Sequence, residues 1–221
     1  MSKVYDFKRF ETYRHLWPPR PTKAVPPVIL GYFEKQGWVA QVKFNGTCNV
    51  LSVTPDRQIR ATSWQNTPHK LWTPDADSAR AFQSLPGKGW YVFVAQLIHS
   101  KVLGIRNVNY IHDLLVADGE LLYGKTYTYR LHVLSDLFTD QIETSDKQER
   151  RLSHVVIDRN TWLAKSHHHE FRKLFDAHKQ IAGMEGLVLK NPWAELNACL
   201  RSDANSAWQV QCRKPTKSYG F

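Results

Sequence analysis

The stretch "WVAQVKFNGTCNVLSV", residues 38–53, alternates apolar and polar residues on both sides of an Asn-Gly pair, the pattern of two strands joined by a tight turn. Lys43 interrupts the apolar run two residues before Asn45-Gly46. Lysine is rarely buried, and burying it without a partner is costly. Such a lysine is therefore either a solvated edge residue or a reactive tool. In a dry pocket shared with other cations its amine shifts toward the neutral, nucleophilic form, and free backbone N–H groups in the following turn suit phosphate. On this spacing alone the solvated reading is the commoner one, because short K-x-[DN]-G matches are frequent.

Working outward, "IRATSW" continues a strand meander, and "WYVFVAQLIH" and "NYIHDLLVA" read as further strands, the latter ended by an Asp118-Gly119 turn. "EGLVLKN" and "AWQVQCRK" read as the last two strands. Helical spacing predicts helices in "VILGYFEKQG", "DSARAFQSL", "TYRLHVLSDLF" and "EFRKLFDAHKQIA". Residues 1–27 form an extended, Pro-rich lead-in, because the closely spaced prolines of "PPRPTKAVPP" fit neither a helix interior nor a central strand. Residues 28–221 form one domain. Without a β-α-β-α rhythm, the expected class is α+β with antiparallel sheets rather than a doubly wound parallel sheet.

Composition narrows the function. With 42% hydrophobic and 23% charged residues the chain is neither disordered by composition nor membrane-spanning, and a cytoplasmic monomer is expected. Three cysteines without close pairing argue against a disulfide framework or a zinc site. A formal charge of +10 favours a polyanionic partner, and eight tryptophans add surfaces on which bases can stack. The adjacent histidines 167–169 lack the i, i+4 spacing of a helical metal site and read as a solvated helix start.

Downstream residues change the odds for Lys43. Glu185 and Lys190 in "EGLVLK" are five apart, so strict alternation points them to opposite faces, and a twist or bulge near Gly186 would bring both to one pocket. There a carboxylate can hold hydrated Mg²⁺ and a lysine can neutralise phosphate. "WQVQCRKPTK" adds Arg213, Lys214 and Lys217.

Taken in order, "KFNG", "YVFVAQLIHSK", "YIHDLLVADGELLYGKTYTYR", "EGLVLK" and "WQVQCRKP" resemble the nucleotidyltransferase motifs of ATP-dependent polynucleotide ligases and mRNA capping enzymes, over residues 28–217. The small phage-type RNA and DNA ligases are the most similar in flavour. The resemblance implies an ATP-grasp-like α+β domain with two antiparallel sheets flanked by helices. It also implies lysyl-AMP chemistry: Lys43 attacks the α-phosphorus of ATP, and AMP passes to a 5′-phosphate that a 3′-OH then seals. Asn45 and Gly46 complete the nucleophile motif, Gln41 suits the adenine edge, and His112 holds the position of the stacking aromatic, with Tyr110 less suited. Glu185 matches the metal-supporting carboxylate for Mg²⁺ or Mn²⁺, Lys190 ends its motif, and Gln96, Gln211, Arg213 and Lys214 fall at nucleotide-contact positions. The implied partner is nucleic acid carrying a 5′-phosphate and a 3′-OH, such as a nicked duplex.

Four departures stand out. Gln96 replaces a usual glutamate, and Gln211 replaces the first of two alternating cations. Cys48 stands where DNA ligases commonly place an arginine, and Asn49 beside it leans toward RNA. The sequence stops after the last motif, so no OB-fold domain is expected. A capping-type guanylyltransferase and a catalytically impaired nucleotide- or nucleic-acid-binding protein of the same fold are the alternatives.

Overall fold

The computed structural model describes residues 8–99, 102, 104–142, 152–181, 183–203 and 205–215; Lys217 lies outside them. In chain order the elements are β1 (Arg20–Ala24), α1 (Leu30–Lys35), β2 (Val39–Phe44), β3 (Thr47–Val53), β4 (Ile59–Thr62), α2 (Ala76–Ala79), β5 (Tyr91–Ile98), β6 (Val108–Ala117), β7 (Glu120–Leu121), α3 (Tyr127–Asp136), β8 (His154–Val156), β9 (Thr161–Ala164), α4 (Phe171–His178), β10 (Met184–Lys190) and β11 (Asn205–Arg213). The fold is α+β, with two sheets flanked by helices. One sheet has the order β1-β11-β10-β2; the other runs β4-β3-β5-β6-β9-β8, with β7 paired to β6. Two pairs depart from the expected antiparallel arrangement, since β1 runs parallel to β11 and β9 parallel to β6.

Asn45-Gly46 does not close a hairpin. β2 pairs with β10 and β3 with β5, so the Asn-Gly step carries the chain from one sheet to the other. Alternation specifies which face of each strand is buried, but it does not choose the pairing partner. The step is fixed by Asn45 N–H donating to Gly183 O at 2.7 Å and by the closeness of Gly46 to β5. A Cβ on Gly46 would lie 2.5 Å from the carbonyl oxygen of Leu97. The Asp118-Gly119 turn does form as expected, with positive φ at both residues (45° and 79°) joining β6 to β7.

Alternation in β2 then separates two environments. Ala40, Val42 and Phe44 pack into a core with Leu187, Leu189, Phe171 and Phe175 beneath α1 and α4. Gln41 and Lys43 face the other way, toward the second sheet. That second sheet is covered on both faces, Leu51, Phe93 and Leu114 packing on one side and Val50, Val94 and Leu115 on the other. The Pro-rich lead-in supplies the edge strand β1 and buries Phe10 and Leu16 against the second sheet. The β8–β9 hairpin is an element that the sequence pattern does not announce, because its strands have only three and four residues, too few to show alternation. Among the described residues, no helix is long and apolar enough to cross a membrane.

Two glycines make the packing testable by urea denaturation. A Cβ on Gly31, in α1, meets nothing within 4 Å, so Gly31→Ala should stabilise by about 0.5–1 kcal/mol. Gly46→Ala should instead cost about 2 kcal/mol or more, because the Leu97 carbonyl is backbone and cannot step aside.

Candidate active site

Strand register assembles the cleft floor from three rungs. Lys43, Gly186 and Arg213 lie abreast on β2, β10 and β11, as do Gln41, Val188 and Gln211, and then Val39, Lys190 and Gln209. The register of β10 against β2 slips between Met184 and Gly186, so a bulge sits at Glu185. Gly186 adopts φ +140°, and a Cβ there would lie 2.0 Å from the Cys212 carbonyl oxygen. The bulge sets the Glu185 carboxylate against Lys43 Nζ, which donates to it, while Arg213 donates to the same oxygen at 3.1 Å. All three side chains are partly solvated.

The second sheet forms the opposite wall. Cys48, Gln96 and Tyr110 are register partners across β3, β5 and β6, and His112 follows two residues along β6. A cleft of about 510 Å³ lies between the walls, edged by residues 18–22 of the lead-in. Tyr110 is buried, with its hydroxyl 2.9 Å from Val42 O and 3.2 Å from Ser153 O, so it ties the two sheets together.

Beneath His112 lies a buried polar stack. Lys190, 2% exposed, sits 3.0 Å from the Tyr127 hydroxyl, 3.1 Å from His112 O and 3.4 Å from His112 Nδ1. The Tyr127 ring lies 4.4 Å from Lys190 Nζ. Behind this layer the fully buried Arg130 makes a bidentate pair with Asp113 at 2.9 and 3.0 Å. Burial pulls the Asp113 carboxyl up, yet the charge and hydrogen bonds of Arg130 hold it below the usual range. Burial pushes Lys190 down to about 7, partly offset by Asp113 and reinforced by Arg130. Burial, followed by the neighbouring Lys190, pushes His112 down to about 3, so its imidazole is neutral across the physiological range.

Of the residues singled out in the sequence, the cleft gathers Gln41, Lys43, Cys48, Gln96, Tyr110, His112, Lys190 and Gln211, with Glu185 bonded to Lys43 and Arg213 to Glu185. Several others lie elsewhere. Gly46 lines a smaller cavity of about 250 Å³ with His69 and Trp72, and the Asn45 N–H is taken by Gly183 O. Lys214 Nζ turns to the carbonyls of Lys179 and Ile181, at the end of α4. Asn49 is buried, with its amide tied to Asn109 and His69. His167 pairs with Ala40 through its backbone, and no metal-ligating group of three or more His, Cys, Asp or Glu exists among the described residues. Sequence reading missed Arg20, which lines the cleft from β1, and it gave no role to Tyr127 and Arg130, although both fall within the motif at residues 110–130.

No protein-family model and no curated protein matches the sequence. Solved structures do match. Mycobacterial DNA ligase D complexed with ATP and MES aligns at a TM-score of 0.57 and 14% identity, over 88% of this chain and 60% of that one. The fold is that of ATP-dependent DNA ligases. The ligase of bacteriophage T7 in complex with ATP aligns at 0.55 and 11%, covering 89% of this chain and 68% of its own. A Lig E DNA ligase, described as binding DNA with a minimal scaffold, aligns at 0.51 and 13%, covering 92% and 70%. The likeness is one of fold, and this chain spans 60% of the ligase D structure.

Two measurements test the buried stack. Asp113→Ala strands a fully buried guanidinium and should cost about 3–5 kcal/mol in urea denaturation. In ¹⁵N-histidine NMR, the His112 imidazole should stay neutral from pH 8 down to 5, since its lowered value places protonation far below that window. A midpoint near that of free histidine, about 6.5, would refute the burial argument.

Proposed function

We propose that this chain is an ATP-dependent nucleic-acid ligase working through a lysyl-AMP intermediate. The observation that carries the reading is Lys43 donating to a carboxylate that Arg213 also holds, beside a cleft in a ligase fold. Phosphoryl transfer asks mainly for an aligned nucleophile and fixed charges around the transferred group. Lys43 Nζ attacks the α-phosphorus of ATP; the P–N bond forms as the bond to pyrophosphate breaks, and Glu185 is the adjacent base for the proton. Arg213 stands beside the same carboxylate to meet negative charge, and Lys190 caps the far end of the floor.

His112 offers a neutral ring for an adenine to stack on, and Gln41, whose amide donates to Ser166 Oγ at 3.1 Å, offers its carbonyl to the base edge. A single carboxylate in the floor fits Mg²⁺ or Mn²⁺, because such ions commonly take one or two protein carboxylates and complete their shells with phosphates and water. Glu185 would hold the ion, which when bound neutralises charge on the phosphates. The net charge of +10 and the DNA ligases of this fold support nucleic acid with 5′-phosphate and 3′-OH ends as the partner, at nicks in RNA or DNA.

The test is covalent labelling. Incubation with α-labelled ATP and Mg²⁺, followed by denaturation, should leave acid-labile label on the protein, and Lys43→Ala or chelation of the metal should abolish it. Label from GTP rather than ATP would move the assignment to a capping-type guanylyltransferase. No adduct with either nucleotide would make the chain a binding protein in which Gln96 and Gln211 have replaced charged groups. Adenylylated protein offered nicked RNA, DNA and hybrid duplexes then reports substrate preference.

A further inference from the structure

Three of the cleft's cations are already engaged. Lys43 and Arg213 share Glu185, and Lys190 is taken up by Tyr127 and His112. Arg20 differs. It lines the cleft from the edge strand β1, is exposed, and its guanidinium makes no hydrogen bond or ion pair among the described residues. It is nevertheless held in place. Its Cζ lies 3.6 Å from the centroid of the Trp64 ring, and Trp64 is anchored by its Nε1 donating to Pro18 O at 3.1 Å. Prolines on both sides restrict the backbone, and Ser206 Oγ donates to Arg20 O at 3.3 Å.

A guanidinium held over an indole by a cation–π contact still has N–H donors free of hydrogen bonds, and their fork matches two oxygens of a phosphate. Among the described residues no counter-ion pairs with it. Cys48, which feels the charge of Arg20, has its thiol pushed up to about 12 by burial and is uncharged, and Gln96 and Gln211 on the same cleft are neutral amides. A pre-positioned cation without a counter-ion beside a nucleotide-sized cleft is a built anion receptor.

We infer that Arg20 is a phosphate-binding residue of this cleft, its Trp64-backed guanidinium taking a phosphate either of the nucleoside triphosphate or of a polynucleotide 5′ end. The inference rests on reading the cleft as a nucleotide site, and it adds a residue of the lead-in to that site.

The test compares the full chain with Arg20→Ala, Arg20→Lys and Trp64→Leu, each checked for folding by circular dichroism. Calorimetry with ATP and with adenosine reads the triphosphate source; anisotropy with 5′-phosphorylated and 5′-hydroxyl oligonucleotides reads the other. Arg20→Ala should weaken one phosphorylated ligand about tenfold or more, without changing its unphosphorylated counterpart. Arg20→Lys should recover part of the loss, keeping the charge without the fork, and Trp64→Leu should lose part by removing the shelf. Arg20→Ala binding both phosphorylated ligands as the wild type does overturns the inference. If the wild type forms the lysyl adduct while Arg20→Ala leaves phosphate binding unchanged, only this inference fails. If no adduct forms but ATP binding over adenosine still depends on Arg20, the ligase reading fails and this one stands.

Discussion

At Gly186 the backbone of β10 passes so close to Cys212 that a Cβ would lie 2.0 Å from its carbonyl oxygen, with φ at +140°. Only glycine occupies such a conformation at low cost. The bulge that this residue permits shifts register by one position at Glu185, which brings the carboxylate to Lys43 and Arg213 on neighbouring strands. Without the slip, alternation would place Glu185 and Lys190 on opposite faces of β10, and the floor would lack either its carboxylate or its buried lysine.

The charges of the cleft are arranged by depth. Deepest is the Arg130–Asp113 pair, where bidentate geometry offsets the cost of removing two charges from water. Above it, Lys190 is shifted down by burial, and burial followed by the neighbouring Lys190 keeps the His112 imidazole a neutral ring. Nearest solvent lie Lys43, Glu185 and Arg213, partly hydrated and able to exchange partners with a ligand. Rigid support below and exchangeable charge above is the order that phosphoryl transfer needs, since the groups that meet the phosphates must move little while their counter-ions change.

Much of the framework was legible along the chain. Period-2 alternation located β2, β3, β5, β6, β10 and β11, and turn chemistry at Asp118-Gly119 predicted the β6–β7 hairpin. The candidate floor residues Gln41, Lys43, Glu185, Lys190, Gln211 and Arg213 were visible through the resemblance of their motifs, since alternation alone points Glu185 and Lys190 to opposite faces. The hairpin expected at Asn45-Gly46 was not realised, because local turn preference competes with pairing to β10 and β5, and those pairings are non-local. Arg20 had no legible signal, and Tyr127 and Arg130 lay within a motif without a legible role. Their roles arise from residues brought from elsewhere in the chain: Trp64 for Arg20, Lys190 for Tyr127 and Asp113 for Arg130.

By itself the sequence determined the longer strands, which side of each is apolar, the glycine that makes a bulge possible and the cationic character of the whole, because these depend on side-chain period, backbone permissiveness and composition. Tertiary structure decided that β2 and β3 part company into two sheets, that the lead-in joins one of them as an edge, and that the space between becomes a cleft. It also decided which of the described cleft cations meet a carboxylate or a buried partner. Pairing partners and burial are properties of contacts distant in sequence, so no local pattern encodes them.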